Sequence, residues 1–322
     1  MVATPFYRAS ELTLGGMQTH WLPRAQAFAQ SAAELEHSVR TASSPISTQR
    51  LAWVRCMLDW ERLAAVPVGA VLERRSVRTL DFWPTRTVQI QELRQSASTQ
   101  EPALLASRVR AAGVGAKGLP ALEWLLWRQA NEPGTRALAS RLCIELHAEA
   151  TVLLQDYQAR ARAPEPEAVD EAQSWTDYGE WFTQCMGSLD QLRLKKLRTN
   201  TRGKDSAIWV RGVSGQTAPA WAAQWEGITH FLAGSPARRC GAANGAPHSF
   251  TDLLRSRGHL APADRLERQL AVSQPAVLAA NPNQPASVQR AQRALLALHT
   301  LASDMGSQLF DFSQGFTDAD GD

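Results

Sequence analysis

The stretch Gly118-Leu-Pro-Ala-Leu-Glu-Trp-Leu-Leu-Trp127 carries one ionisable group, Glu123. A helix apolar on every face has nothing to offer water, so the rest of the chain must fold around it. Pro120 fits a first helical position, where its missing N–H is harmless and its fixed φ suits the helix. Leu119, Ala121, Leu122, Trp124, Leu125, Leu126 and Trp127 leave Glu123 no polar face to share. A carboxylate in that setting needs a cationic partner, a metal or hydrogen-bond donors, or it stays protonated. One reading is structural: an acid satisfying the free N–H groups and positive end of a helix start. The other is a ligand site.

The elements that wrap this stretch are helical. Apolar residues recur at helical spacing from Trp21 to Val39, and again from Ser47, a candidate N-cap, through Leu51, Val54, Leu58 and Leu63. Pro67 opens a shorter segment, and Arg78 to Pro84 reads as a loop. Glu101 to Ala112, Thr135 to Arg162, Val169 to Arg198, Pro219 to Leu232 and Ser287 to Phe312 are further helices. Strand alternation is absent, which makes the fold class all-α. Ala161-Arg-Ala-Pro-Glu-Pro-Glu-Ala168 interrupts the pattern with two prolines and marks the boundary between two helical-bundle domains, 1–163 and 164–322. Thr199–Gln216 and Ala233–Pro247 read as polar or Gly-rich connections, and Thr317–Asp322 as a frayed tail.

Composition removes several function classes. Basic and acidic residues, 34 and 31, nearly cancel to a net charge of +3, which gives no electrostatic footprint for nucleic acid. No apolar run reaches the roughly 18 residues of a transmembrane segment. Met1-Val-Ala-Thr-Pro-Phe-Tyr-Arg lacks a basic region followed by an apolar core, so no signal sequence is read at the start of this chain. The 4 cysteines, Cys56, Cys143, Cys185 and Cys240, form no Cys-x-x-Cys pair and their pairing stays open.

Hydrolytic and metal motifs are missing too. There is no Gly-x-Ser-x-Gly elbow and no His-Glu-x-x-His. Glu34-x-x-His37 has the spacing of half a di-iron site in a bundle, but no second Glu-x-x-His accompanies it. Glu226 and His230 stand four apart and can share a helix face; a solvated surface is the simpler reading of both pairs. Asp81, Trp83 and Arg86 lie in a stretch between helices, where ligand-binding residues concentrate. Arg86 or Arg211 is the natural counter-ion for Glu123, because a guanidinium grips a carboxylate bidentately. Ser214, in the turn-like Arg211-Gly-Val-Ser-Gly215, suits a cap or a hydrogen bond into the same site.

Gly118–Trp127 also resembles the signature of the imelysin-like proteins, Gly-x-His-x-x-Glu at a helix start, with Gly118 and Glu123 in place and Pro120 at the histidine position. Arg78–Arg86, Trp181–Lys196 with Ser188-Leu-Asp190 and Lys195-Lys196, and Trp209–Ser214 resemble other blocks of that group, in order. The resemblance implies two packed bundles with the site between them, in bacterial cell-envelope proteins encoded near iron-acquisition systems, some described as metallopeptidases. It implies for this chain a periplasmic or outer-membrane-associated protein that binds a small ligand, or an envelope partner of an iron-uptake system, at the interdomain cleft. The expected site is Glu123, Gly118, Pro120, Asp81, Trp83, Arg86, Arg211 and Ser214. Proline removes a metal ligand, so no catalytic or metal residue is assigned; the cofactor stays open, with a metal as one candidate. Two alternatives stand beside this reading. One is a metal-dependent peptidase-like enzyme whose missing histidine comes from His20, His37 or His147. The other is an envelope interaction module docking through Arg78–Arg86.

Overall fold

The helical periods become helices in a computed structural model that describes residues 5–99, 101–198, 209–234 and 246–312. In chain order they are α1 (Ala9–Gly16), α2 (Leu22–Arg40), α3 (Ile46–Leu63), α4 (Ala70–Glu73), α5 (Ser76–Leu80), α6 (Thr87–Ala97) and α7 (Pro102–Ala111). There follow α8 (Gly118–Arg128), α9 (Thr135–Arg160), α10 (Glu171–Asp190), α11 (Thr217–Ala233), α12 (Phe250–Ser256), α13 (Leu260–Leu278) and α14 (Pro285–Phe310). Among the described residues there is no strand, and no helix is long and apolar enough to cross a membrane. Residues 199–208, 235–245 with Cys240, and 317–322, expected to be connections and tail, lie outside the described residues.

Local chemistry explains where the boundaries differ from expectation. Pro45, not Ser47, precedes α3: its locked φ of −62° with ψ of 148° turns the chain into the helix at Ile46. Pro120 is third in α8 rather than first, and is tolerated there because the first four N–H groups of a helix have no intrahelical acceptor. The Arg78–Pro84 loop is shorter than its sequence suggests, since Ser76–Leu80 closes a helical turn. The Val169–Arg198 period contains a π-helical turn, Gln191–Lys196 after α10, and a second, Met17–Trp21, joins α1 to the start of the Trp21–Val39 period. Such single-turn insertions change which side chains face inward and recur at functional sites.

Packing follows the apolar stripes. α2 lies against both α3 and α9, and α8 against α3 and α9, so the apolar signature helix is wrapped as its composition demands. Trp124 and Trp127 on its outer side stay half-buried, whereas Trp53, Trp60 and Trp221 are fully enclosed. Beyond the Ala161–Ala168 segment, α13 packs on α14, α10 on α14 and α11 on α13. α1 packs on α10 and α3 on α11, and one continuous buried cluster runs from Leu12 to Phe312. Cys56, Cys143 and Cys185 are buried free thiols, and burial pushes the thiols of all three well up from their ordinary range, which makes them packing residues and not nucleophiles.

Surface ion pairs outside this core set an acid limit. Burial alone would raise the Glu149 carboxyl, but the two Arg74 hydrogen bonds, at 2.9 and 2.7 Å, and the Ser76 hydroxyl at 2.7 Å hold it below the usual range. Glu36 is lowered against its own burial by His147 and Arg40, each 2.7 Å away. A depressed carboxyl stabilises fully above its unfolded value, about 4.3 for Glu, and the contribution is lost as pH falls through the folded value. Urea midpoints measured from pH 7 to pH 3 are expected to hold until about that pH and then drop. Glu149→Gln should flatten the drop; an unchanged slope would refute the assignment.

Candidate functional site

Glu123 enters α8 as the one charge among hydrocarbon, and is itself buried. Its Oε1 accepts the Ser214 backbone N–H at 2.8 Å and the Ser214 hydroxyl at 2.6 Å. Two donors on one oxygen satisfy a buried carboxylate without a counter-ion in contact, as at a helix cap. Gly118 makes this position reachable. Its φ is +66°, and a Cβ there would stand 2.1 Å from the Leu80 carbonyl oxygen, so only glycine lets the end of α5 touch the start of α8.

That contact places Asp81, the residue after α5, beside a buried guanidinium. Arg211 Nη2 donates to Asp81 Oδ1 at 2.7 Å and to Glu61 Oε1 at 3.2 Å, with the Arg211 side chain only 1% exposed. Lys196, on the second π-turn, donates to Glu61 Oε2 at 2.5 Å. Trp60 Nε1 donates to Asp81 Oδ2 at 3.3 Å, the Trp53 ring lies 5.8 Å from the Arg211 guanidinium, and Trp53 Nε1 donates to the Leu119 carbonyl at 3.1 Å. Arg211 itself sits at a left-handed φ of +63° in the Trp209–Gly215 turn, which aims its side chain inward and Ser214 at Glu123. The cluster therefore draws on α3, α8 and the α5 end on one side of the Ala161–Ala168 segment, and on the π-turn and the 209–215 turn on the other.

Charge is unevenly held. Burial pulls the Arg211 guanidinium down, but Asp81, Glu61 and Glu123 together outweigh it and push it up, so it is charged at every relevant pH. Glu61 is fully enclosed, yet Lys196 and Arg211 overcome that penalty and leave its carboxyl below the usual range. For Asp81 burial wins over the same arginine, and its carboxyl is raised. Two of the guanidinium nitrogens, Arg211 Nε and Nη1, are buried without a hydrogen-bond partner among the described residues.

The expected site residues thus divide. Glu123, Gly118, Pro120, Asp81, Arg211 and Ser214 meet around the start of α8. Arg211 is spent on Asp81 and Glu61 and makes no ion pair with Glu123. Arg86 is exposed; its backbone N–H donates to the Gly115 carbonyl at 2.8 Å and its stem lies over Gly115, and Trp83 is half-buried in the same loop. Sequence reasoning does not nominate Glu61 or Lys196. A signal for Glu61 is present all the same: Trp53, Met57 and Glu61 are spaced four apart on the stripe that buries Trp53 and Met57.

A zinc or iron site at Glu123 needs a second protein ligand beside it, and Pro120 has no donor while Ser214 supplies hydrogens, so these residues do not fit one. His37 is exposed, and His147 Nδ1 is bonded to Glu36 at 2.7 Å. Glu226 pairs with Arg62 at 2.8 Å instead of sharing a ligand set with His230. Among the described residues, His20, His230 and His248 are the one group whose ring nitrogens converge, all within 4.8 Å of one another.

Comparison with known proteins settles the family. The imelysin family model matches residues 21–312. The chain belongs to the imelysin family. An imelysin-like protein from Psychrobacter arcticum 273-4 superposes with a TM-score of 0.70 at 16% identity, covering 98% of this chain and 100% of that one. An iron-regulated protein A precursor from Parabacteroides distasonis ATCC 8503 superposes with a TM-score of 0.74 at 13% identity, covering 95% of this chain and 96% of the other. At those identities the likeness is one of fold. No curated protein matches the chain.

Proposed function

We propose that this imelysin-family chain works in the cell envelope in iron acquisition, binding a small ligand or partner where the 1–163 and 164–322 bundles meet, and is not a peptidase of the family motif's kind. The observation that carries the reading is the pair of buried guanidinium nitrogens on Arg211, Nε and Nη1, whose hydrogens no described acceptor uses. Unpaired buried donors cost about 1–3 kcal/mol each, and a ligand oxygen would recover that. Glu61, Asp81 and Ser214 hold the guanidinium turn and Glu123 in place around the position. The peptidase activity is argued against by Pro120 and by Glu123, whose Oε1 is committed to Ser214. A catalytic zinc needs three protein ligands and an open water position, and the start of α8 offers one carboxylate. The iron context rests on the family and on the name of the Parabacteroides relative.

Two assays test it. Incubation with insulin B chain, with and without added divalent ions, is expected to leave the peptide intact; chelator-sensitive cleavage would sink the non-peptidase reading. Ferric citrate, an iron chelate rich in oxygen acceptors, is expected to raise the melting temperature of the wild type and to do so less for Glu123→Gln and Arg211→Lys. Equal shifts in all three would remove the seam as the binding place.

A further inference from the structure

The histidines that sequence spacing left apart are brought together by a π-turn and a glycine. His20 lies on the Met17–Trp21 π-turn, fully buried, with Trp21 and Phe231 rings packed at 4.6 and 6.2 Å. His230 comes from the last turn of α11, and His248 from the segment just before α12. Gly15 lets that segment approach: a Cβ on it would stand 2.0 Å from the Pro247 carbonyl oxygen. His20 Nδ1 is 2.9 Å from His230 Nδ1, and His230 Nδ1 is 3.3 Å from His248 Nε2.

The Thr19 hydroxyl sets the tautomer of one of these rings. The Thr19 hydroxyl has one hydrogen, and at 2.6 Å it goes to the Gly15 carbonyl. Toward His248 Nδ1, 2.9 Å away, Thr19 therefore accepts, and the Ala246 carbonyl at 3.3 Å is a second acceptor on the same nitrogen. His248 Nδ1 is thus the N–H, and in the neutral ring Nε2 presents a lone pair toward His230 Nδ1 and toward the His230 carbonyl, also at 3.3 Å. The His20 ring has no described partner for Nε2, so its one ring contact of this kind is the His230 nitrogen. Three ring nitrogens converge here, and the neutral His248 ring turns its Nε2 lone pair on the His230 carbonyl oxygen, a clash of acceptors. A cation at their centre resolves this. Imidazole nitrogens about 2.0–2.1 Å from a tetrahedral zinc stand about 3.3 Å from each other, close to both observed separations.

We propose that His20, His230 and His248 bind one late first-row divalent ion, with Zn2+ as the reference case, and leave its fourth position open to a small ligand. Neutral imidazoles favour such ions over Mg2+ or Ca2+, which take oxygen ligands. Thr19 plays the supporting part usual for a ligating histidine, fixing the tautomer and aim of His248 through its other nitrogen. The site shares no residue with the Glu123–Arg211 cluster, so it stands or falls apart from the function proposed above.

The test uses the full chain after EDTA dialysis. Titration with Co2+ is expected to produce the intense visible bands of a tetrahedral ion, saturating at one equivalent and bleached by Zn2+. His230→Gln and His248→Gln should lose the bands, while His37→Gln, a change at an exposed histidine, keeps them. Thr19→Val leaves all three ligands and should weaken Zn2+ affinity by about 10–100-fold, which decides the matter even where a histidine variant fails to fold. Absence of tetrahedral bands in the wild type, or unchanged Zn2+ affinity in Thr19→Val together with bands in either glutamine variant, would overturn the proposal.

Discussion

Gly118→Ala is expected to cost about 3–5 kcal/mol, a large share of the stability of an ordinary domain. Two penalties combine. A left-handed φ of +66° strains any residue with a Cβ by about 1–2 kcal/mol. The new Cβ would also stand 2.1 Å from the Leu80 oxygen, 2.6 Å from its carbonyl carbon and 2.8 Å from its Cα. These are backbone atoms, which cannot swing aside as a side-chain tip can, so the end of α5 must retreat from α8. Asp81 comes directly after Leu80 and would be drawn off both Arg211 and Trp60. Gly215→Ala separates the two penalties: its φ is +74°, but nothing lies within 4 Å of the added carbon. It should cost only the strain, about 1–2 kcal/mol. Urea denaturation of both variants checks the difference, and near-equal losses would mean that the α5–α8 contact is not rigid.

The same contact shows how far a single sequence can be read. Helical periods alone mark α2, α3, α9, α10 and α14, because an apolar stripe of that spacing has no other way to be buried. They do not mark the π-turns at Met17–Trp21 and Gln191–Lys196, since inserting one residue leaves the stripe almost unchanged while rotating the helix beyond it. Yet those turns carry His20 and Lys196. The signature residues Gly118 and Glu123 were legible because one charge stood out in an apolar run. Arg211 was legible as a counter-ion but not its partner: Glu61 and Asp81 lie 150 and 130 residues away from it, and pairing at such range is decided by topology. His20, His230 and His248 are further from any local motif, with sequence separations of 210 and 18 between the ring pairs that meet.

Replacing that arginine gives the second large effect. Arg211→Met keeps an unbranched apolar stem and removes the cation from the Trp53 ring and from two enclosed carboxylates. Breaking a buried pair from one side typically costs about 3–5 kcal/mol, because the remaining charge is stranded. The two carboxylates will not suffer alike. Glu61 keeps Lys196, whereas Asp81 keeps only the Trp60 N–H, and its carboxyl is already raised by burial. In the variant Asp81 should therefore take up a proton. A carboxyl whose folded value is raised contributes stability below its unfolded value and loses it as pH rises through the folded one. The deficit of Arg211→Met is thus expected to be larger at pH 8 than at pH 5, opposite in sign to the acid-side loss caused by Glu36 and Glu149. Adding Asp81→Asn should recover part of the deficit at pH 8, since an amide keeps an acceptor for Trp60 without the charge. Urea midpoints of the two single variants and the double form a cycle, in which a strong favourable coupling is the expected result. Strict additivity, or a deficit independent of pH, would show that Asp81 does not depend on Arg211 and that the seam is held by apolar packing alone.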